Sequence, residues 1–222
     1  MASDIVLTLQ WWVAWWFFGV VGFGYCKRFF SNWPDQGYML AKAFGLGIVA
    51  LVAWVLGSLR IVPFSLVTTL AIAGIVGVVG YVRNTKVSVA WKKLILCEVF
   101  FGLALLTWAW VKAHEPSING LEKFMDYGFT KSILHSEYFP PADMWYTGKP
   151  INYYYFGHLM MAIVSRISGV DLAYGFNLML ASTFALTVSM VASMALRLLR
   201  HLRGDKKWAG VMLTIFFVAL SG

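Results

Sequence analysis

The sequence predicts an all-α fold, a polytopic bundle of transmembrane helices with an external loop that carries juxtamembrane helices. Three observations predict it. Residues of the AVILMFWYC set make up 60% of the 222 residues and charged residues only 13%, against about 25% charged in a typical soluble domain. Mean hydropathy is +0.71. Apolar runs also recur at the length of about 20 residues that a helix needs to cross roughly 30 Å of hydrocarbon. A soluble globule of this size has too little interior to hide so much apolar surface.

Four windows before residue 112 satisfy the length requirement, at about 5–25, 38–59, 62–82 and 92–111. The first carries Trp11, Trp12, Trp15 and Trp16, two adjacent i,i+4 pairs on one side of the helix. An interfacial aromatic belt or lipid-facing packing accounts for them more simply than a ligand platform. The second window contains Lys42, and glycines at 45, 47, 57, 74, 77 and 80 allow close helix packing in the second and third. The fourth contains Glu98, the one acid within a span. An intramembrane carboxylate is a functional candidate by default, but Lys92 and Lys93 lie a turn or two away and offer a local ion pair. Residues 1–111 are thus read as four spans. Residues 112–171 form an external loop, and 172–222 supply two more spans at about 172–196 and 208–222. The last run is short, as expected if the chain is the N-terminal part of a longer protein.

Cys26 and Cys97 have no metal-like spacing and form no disulfide framework. The first apolar run lacks a basic n-region and is followed by Lys27-Arg28, not a small-residue cleavage site, so it is not a removable signal peptide.

The net charge is +8, from 18 Lys+Arg and 10 Asp+Glu. No basic stripe sits on a soluble segment, which argues against nucleic acid. Retention of basic residues on the cytoplasmic side explains the charge. The clusters Lys27-Arg28, Arg83/Lys86/Lys92/Lys93 and Arg197/Arg200/Arg203/Lys206/Lys207 then belong on one side. They share a side only if the ambiguous apolar segment 152–169 lies in the interface plane instead of crossing. Eleven basic residues are then inside and six outside (Arg60, Lys112, Lys123, Lys131, Lys149, Arg166), with Lys42 in a span. A true span or re-entrant hairpin is the alternative. The interfacial reading puts the N-terminus and residues 112–171 outside a multi-pass plasma-membrane protein.

The external loop concentrates the chemistry. Six of the ten acids (Glu115, Glu122, Asp126, Glu137, Asp143, Asp171) and three of the four histidines fall between 112 and 171. Prolines 116, 140, 141 and 150 divide it into short pieces. Residues 120–135 have helical spacing, with Leu121, Phe124, Met125, Phe129, Ile133 and Leu134 on or near one apolar face. On that helix Glu122 and Asp126 are i,i+4 neighbours. Such a pair suits a divalent cation, or a general base with its charge partner; it equally suits an acidic stripe facing water. Downstream, Asn152, Tyr153, Tyr154, Tyr155 and His158 offer hydroxyls, ring faces and an imidazole at the membrane surface. They suit a sugar, a phosphate or a lipid headgroup, or simply an interfacial tyrosine belt. On a helix over 152–169, His158 and Ser165 are seven apart and share a face with Tyr154.

The motifs Glu122-Lys123-Phe124-Met125-Asp126, Tyr138-Phe139-Pro140-Pro141, Asn152-Tyr153-Tyr154-Tyr155-Phe156-Gly157-His158 and Phe176-Asn177 resemble the uncharacterised YYY membrane-protein family. Pro34-Asp35-Gln36-Gly37-Tyr38, Leu56-Gly57-Ser58 and Pro63-Phe64-Ser65 extend the resemblance over nearly all of the chain after residue 30. Phe124 departs from the proline expected there, and both carboxylates are kept. That family is similar in layout to the C-superfamily (GT-C) of membrane glycosyltransferases. Asp126 matches their loop acid, Lys149-Pro150 their Lys-Pro, and Tyr153 to His158 their aromatic helix.

The resemblance implies transfer of a sugar from a polyprenyl-phosphate-linked donor to an acceptor hydroxyl at the outer face. It implies Asp126 as base or metal ligand with Glu122 in support, and possible use of a divalent ion such as Mg or Mn. Lys149 and Arg166 are implied as phosphate partners, and Asn152, Tyr153, Tyr154, Tyr155 and His158 as substrate-binding residues. The bilayer and the lipid-linked sugar are the implied partners. A non-enzymatic lipid-linked-sugar transporter or an assembly scaffold is the rival reading, and midplane charges would favour the transporter.

Overall fold

The computed structural model describes residues 2–82, 90–120 and 122–219. Eight α-helices follow one another: α1 (Ala2–Phe30), α2 (Tyr38–Ser58), α3 (Leu66–Val82), α4 (Trp91–Ala113), α5 (Lys123–His135), α6 (Phe156–Ser168), α7 (Leu172–Leu198) and α8 (Gly204–Ala219), with a 3₁₀ turn at Leu199–His201 before the last. Four stretches are long and apolar enough to cross a membrane: Asp4–Phe30, Tyr38–Ser58, Trp91–Ala113 and Leu172–His201. α3 is apolar but shorter, at 17 residues, or about 26 Å. The last predicted span, 208–222, lies on α8, and its residues 220–222 are outside the described residues, as are Arg83, Lys86 and Leu121.

Sequence chemistry explains how the helices start and stop. Asp35 is buried, and its carboxylate accepts the backbone N–H groups of Gly37 (3.3 Å) and Met39 (2.9 Å) at the start of α2. It thereby satisfies donors that a helix N-terminus leaves without partners. Ser193 of α7 donates its hydroxyl to the same carboxylate at 2.9 Å, so the cap also ties α2 to α7. Asp171 caps α7 through the N–H of Ala173 at 2.8 Å. Gly169 closes α6 with φ +71°, a left-handed conformation that favours glycine.

α1 and α2 pack backbone to backbone. A Cβ added to Gly22 would lie 2.0 Å from the Ala41 carbonyl oxygen, and one added to Gly45 would lie 2.1 Å from that of Phe18. Small residues at such a crossing let two helices gain dispersion contacts where lipid supplies no hydrophobic drive. Trp11 and Trp15 are fully buried in this core, and only Trp16 of the four is half exposed. The expected lipid-facing belt is therefore an internal element at Trp11 and Trp15. Trp11 Nε1 donates to Ser182 on α7 at 2.8 Å, which a lipid-facing indole would have no reason to do.

Glu98 likewise differs from its expected local pairing. Its carboxylate is in ion contact with Lys42 of α2 and accepts the Tyr38 hydroxyl, while Trp12 Nε1 of α1 donates to it at 3.2 Å. Lys42 is 2% exposed, and its ammonium also sits 4.7 Å from the centroid of the Phe101 ring. One carboxylate on α4 thus answers donors from α1 and α2.

The two ends of the bundle differ in content. At one end α4 stops near the start of α7, where Asn177 donates to the Pro116 carbonyl at 2.7 Å. α2 stops and α3 begins there as well, under Phe139 and Glu137, whose backbones bond Gly57 and Phe64. α5 and α6 cover this end. The other end gathers Lys93 of α4 and Lys207 of α8 around one cavity with Asp35, and Arg197 donates to the Asn32 carbonyl beside it at 3.3 Å.

Candidate functional site

α6 has 13 residues, about 20 Å of helix, less than the roughly 30 Å hydrocarbon core. Its apolar face is deeply buried: Leu159, Ala162, Ile163 and Val164 are 0% exposed and belong to the core cluster that also holds Trp11, Val49 and Ala53. Its two ends return the chain to the covered end of the bundle. At the start, Trp54 Nε1 of α2 donates to the Tyr155 hydroxyl at 2.9 Å. At the finish, Asp171 opens α7.

α5 lies against α6 and brings the acid to the imidazole. Asp126 sits in the first turn of α5, and its backbone N–H donates to the Glu122 carbonyl at 2.9 Å. His158 sits in the first turn of α6. Its Nε2 lies 3.0 Å from Asp126 Oδ1. Since a carboxylate can only accept, Nε2–H is the donor. Asp126 is 36% exposed and His158 13%, so the pair has one wet side and one dry side. Glu122, one turn before Asp126, is exposed.

Phe129, one turn after Asp126, is 3% exposed and organises the surrounding rings. Its ring stands edge-on to His158 at 5.5 Å and lies 6.2 Å from Tyr153 and 6.4 Å from Trp145. Tyr153 and Tyr154 are in ring contact at 4.0 Å and both at least half exposed. Their hydrogen bond is the main cause that raises the Tyr154 phenol above its ordinary pKa, with the nearby Glu122 and Asp126 charges adding to it. Burial raises Tyr155, against a smaller lowering by the hydrogen bond from Trp54. The three tyrosines, Phe156 and the outward faces of Leu51 and Trp54 line a groove of about 400 Å³.

α6 begins only at Phe156, so the triplet forms an irregular lead-in and Tyr154 shares no helical face with His158 and Ser165. Lys149 and Asn152 are exposed on that lead-in, where the Lys149 carbonyl accepts the Asp143 N–H at 2.8 Å. Arg166 stands apart, two turns along α6 from His158. Its guanidinium donates to the Phe64 carbonyl and, at 2.6 Å, to the Leu134 carbonyl, and stacks 3.9 Å over the Phe64 ring. Burial lowers its pKa from the ordinary value. Those bonds commit it to pinning α5 and the segment leading into α3 onto α6.

Among the described residues no three His, Cys, Asp or Glu side chains converge as a metal site. Glu122 and Asp126 alone form an incomplete ligand set. Sequence reasoning passed over Trp54 and gave Phe129 only a place on an apolar face. The i+3 spacing of Phe129 from Asp126 is the one signal that could have marked it.

Helices that cross a membrane, with a helical cap at one end bearing an acid–imidazole pair and an aromatic groove, define a multi-spanning α-helical membrane protein. More particularly, the chain belongs to the uncharacterized membrane protein family DUF2298, whose model matches residues 48–222. No curated protein matches the chain, and no solved structure matches it.

Proposed function

We propose that the capped end is the outer face and that the protein there transfers a sugar from a polyprenyl-phosphate-linked donor to an acceptor hydroxyl, as in the GT-C layout. The observation that carries this reading is the Asp126–His158 pair at 3.0 Å, set beside an aromatic groove that opens over spanning helix α2. A lipid carrier's tail can lie along Leu51 and Trp54 while its head reaches the acid.

The chemistry asks little of the protein beyond position and a proton acceptor. His158 holds Oδ1 of Asp126, leaving Oδ2 for the acceptor hydroxyl. As the acceptor oxygen bonds to the anomeric carbon, its proton passes to Asp126. The bond from that carbon to the phosphate oxygen breaks, and its electron pair leaves with the polyprenyl phosphate. Lys149, exposed on the lead-in, is the cation for the departing phosphate; Arg166 keeps the cap in register. Asn152, Tyr153 and Tyr154 bind sugar hydroxyls, and Glu122 raises the negative potential around Asp126.

The transporter reading draws on the ion pair within the spans. That pair is shut, however: Lys42 is 2% exposed and Glu98 14%, and its contacts bind helix to helix.

The test uses the protein in liposomes with labelled polyprenyl-phosphate sugars. Asp126→Asn should lower transfer by about 10²–10⁴-fold, the usual weight of a general base, with unchanged helicity and melting. Wild-type turnover in that variant would refute the assignment.

A further inference from the structure

We infer that the end of the bundle opposite the cap holds a specific site for one anionic phospholipid, between α4 and α8. Both helices pack on α7, yet among the described residues their Cα atoms never come within 8 Å of one another. The gap between them is a cavity of about 490 Å³. Its floor is formed by Ala192 and Leu196 of α7, and its walls by Leu96 and Phe100 of α4 and Met212 and Ile215 of α8. Leu96 and Met212 are 69% and 63% exposed, so the walls rise into the space that lipid occupies around a spanning helix.

Lys93 and Lys207 line the same cavity, one on each wall helix. Neither ammonium has a hydrogen-bond or ion-pair partner among the described residues. The acid at the cavity, Asp35, has its carboxylate occupied by Gly37, Met39 and Ser193. An amphiphile with one apolar tail region and a compact negative head matches this layout: acyl chain against Phe100 and Ile215, phosphate between the two ammonium groups. Trp208 also lines the cavity and is 58% exposed, as suits a ring at headgroup level. A zwitterionic lipid fills the same groove but brings a cation to two lysines. Basic pockets between helices are a known physical route to anionic-lipid selectivity. The site is remote from Asp126 and stands whether or not sugar transfer occurs.

Native mass spectrometry of the 222-residue chain in mild detergent, titrated with phosphatidylglycerol or phosphatidylcholine, tests the site. One phosphatidylglycerol should bind in preference to phosphatidylcholine. Lys93→Ala/Lys207→Ala should cut that preference roughly thirty-fold, from the usual strength of a lysine–headgroup attraction counted twice. Lys92→Ala/Lys206→Ala removes the same charge from neighbouring positions that do not line the cavity, and should leave the preference within about three-fold. Ala192→Phe, which fills the floor, should abolish the bound lipid. Equal losses in the two lysine pairs would show diffuse surface charge and overturn the site. So would equal binding of both lipids, or a second copy of the chain filling the groove in place of lipid.

Discussion

Removing the Glu98 carboxylate tests how α1, α2 and α4 are held together. In Glu98→Leu the Lys42 ammonium, 2% exposed in the native protein, keeps one long hydrogen bond, to the Trp15 carbonyl at 3.5 Å, and the ring faces of Phe101 and Tyr38. Leaving one member of a buried ion pair uncompensated costs about 3–5 kcal/mol. The hydrogen bonds from Tyr38 and Trp12 add less, since such bonds between membrane helices average about 0.6 kcal/mol. The charge therefore dominates the loss. Lys42→Met leaves Glu98 still answered by Tyr38 and Trp12, and should cost about 1.5–3 kcal/mol. The double variant carries no buried charge at the Lys42–Glu98 position, so it should be no less stable than Glu98→Leu alone. Reversible unfolding in mixed micelles, followed by tryptophan emission, supplies the four stabilities of the cycle. A coupling at least as large as the Lys42→Met cost, about 1.5–3 kcal/mol, is expected. Costs that add to within about 0.5 kcal/mol would refute a direct pair.

Two further outcomes follow from the packing. Gly45→Ala places a methyl group 2.1 Å from the Phe18 carbonyl oxygen, which forces α1 and α2 apart; an overpacking cost of about 1–3 kcal/mol is expected by the same unfolding assay. Arg166→Lys keeps the charge but cannot reach the Phe64 and Leu134 carbonyls together from one planar group. The cap should loosen without the bundle melting, seen as faster amide exchange in α5 and unchanged exchange in α7.

Fold class was legible because hydrophobicity and length are properties of each segment alone. What escaped was pairing between segments. Closeness in sequence points Glu98 to Lys92 and Lys93, yet they lie six and five residues away, and helix neighbours are three or four apart. Its actual partner is 56 residues away, a relation that exists only once α2 and α4 are packed. Asp126 and His158 were each singled out by residue type, but their contact depends on how α5 lies on α6. The tyrosine triplet was placed on a helix because its apolar composition continues into α6. Pro150 and the loop closed between Asp143 and Lys149 keep the backbone out of a helix until Phe156. Trp11 and Trp15 were misplaced for the opposite reason: tryptophan is typical of interfaces, and Ser182, the hydroxyl that holds Trp11 inside, comes 171 residues later.

The distance along the chain between Lys42 and Glu98 is also a delay. At about 5–20 residues per second, Lys42 is made roughly 3–11 s before Glu98, 56 residues later. Throughout that interval the second helix carries a cation that an insertion site penalises by about 2.5–3.5 kcal/mol at the membrane centre. The Trp15 carbonyl and the Tyr38 ring are its nearby company. The glycine contact between α1 and α2 gives the nascent hairpin a way to wait as a unit. Biogenesis therefore has an order: the first two helices enter as an unfinished pair, and the arrival of α4 closes them.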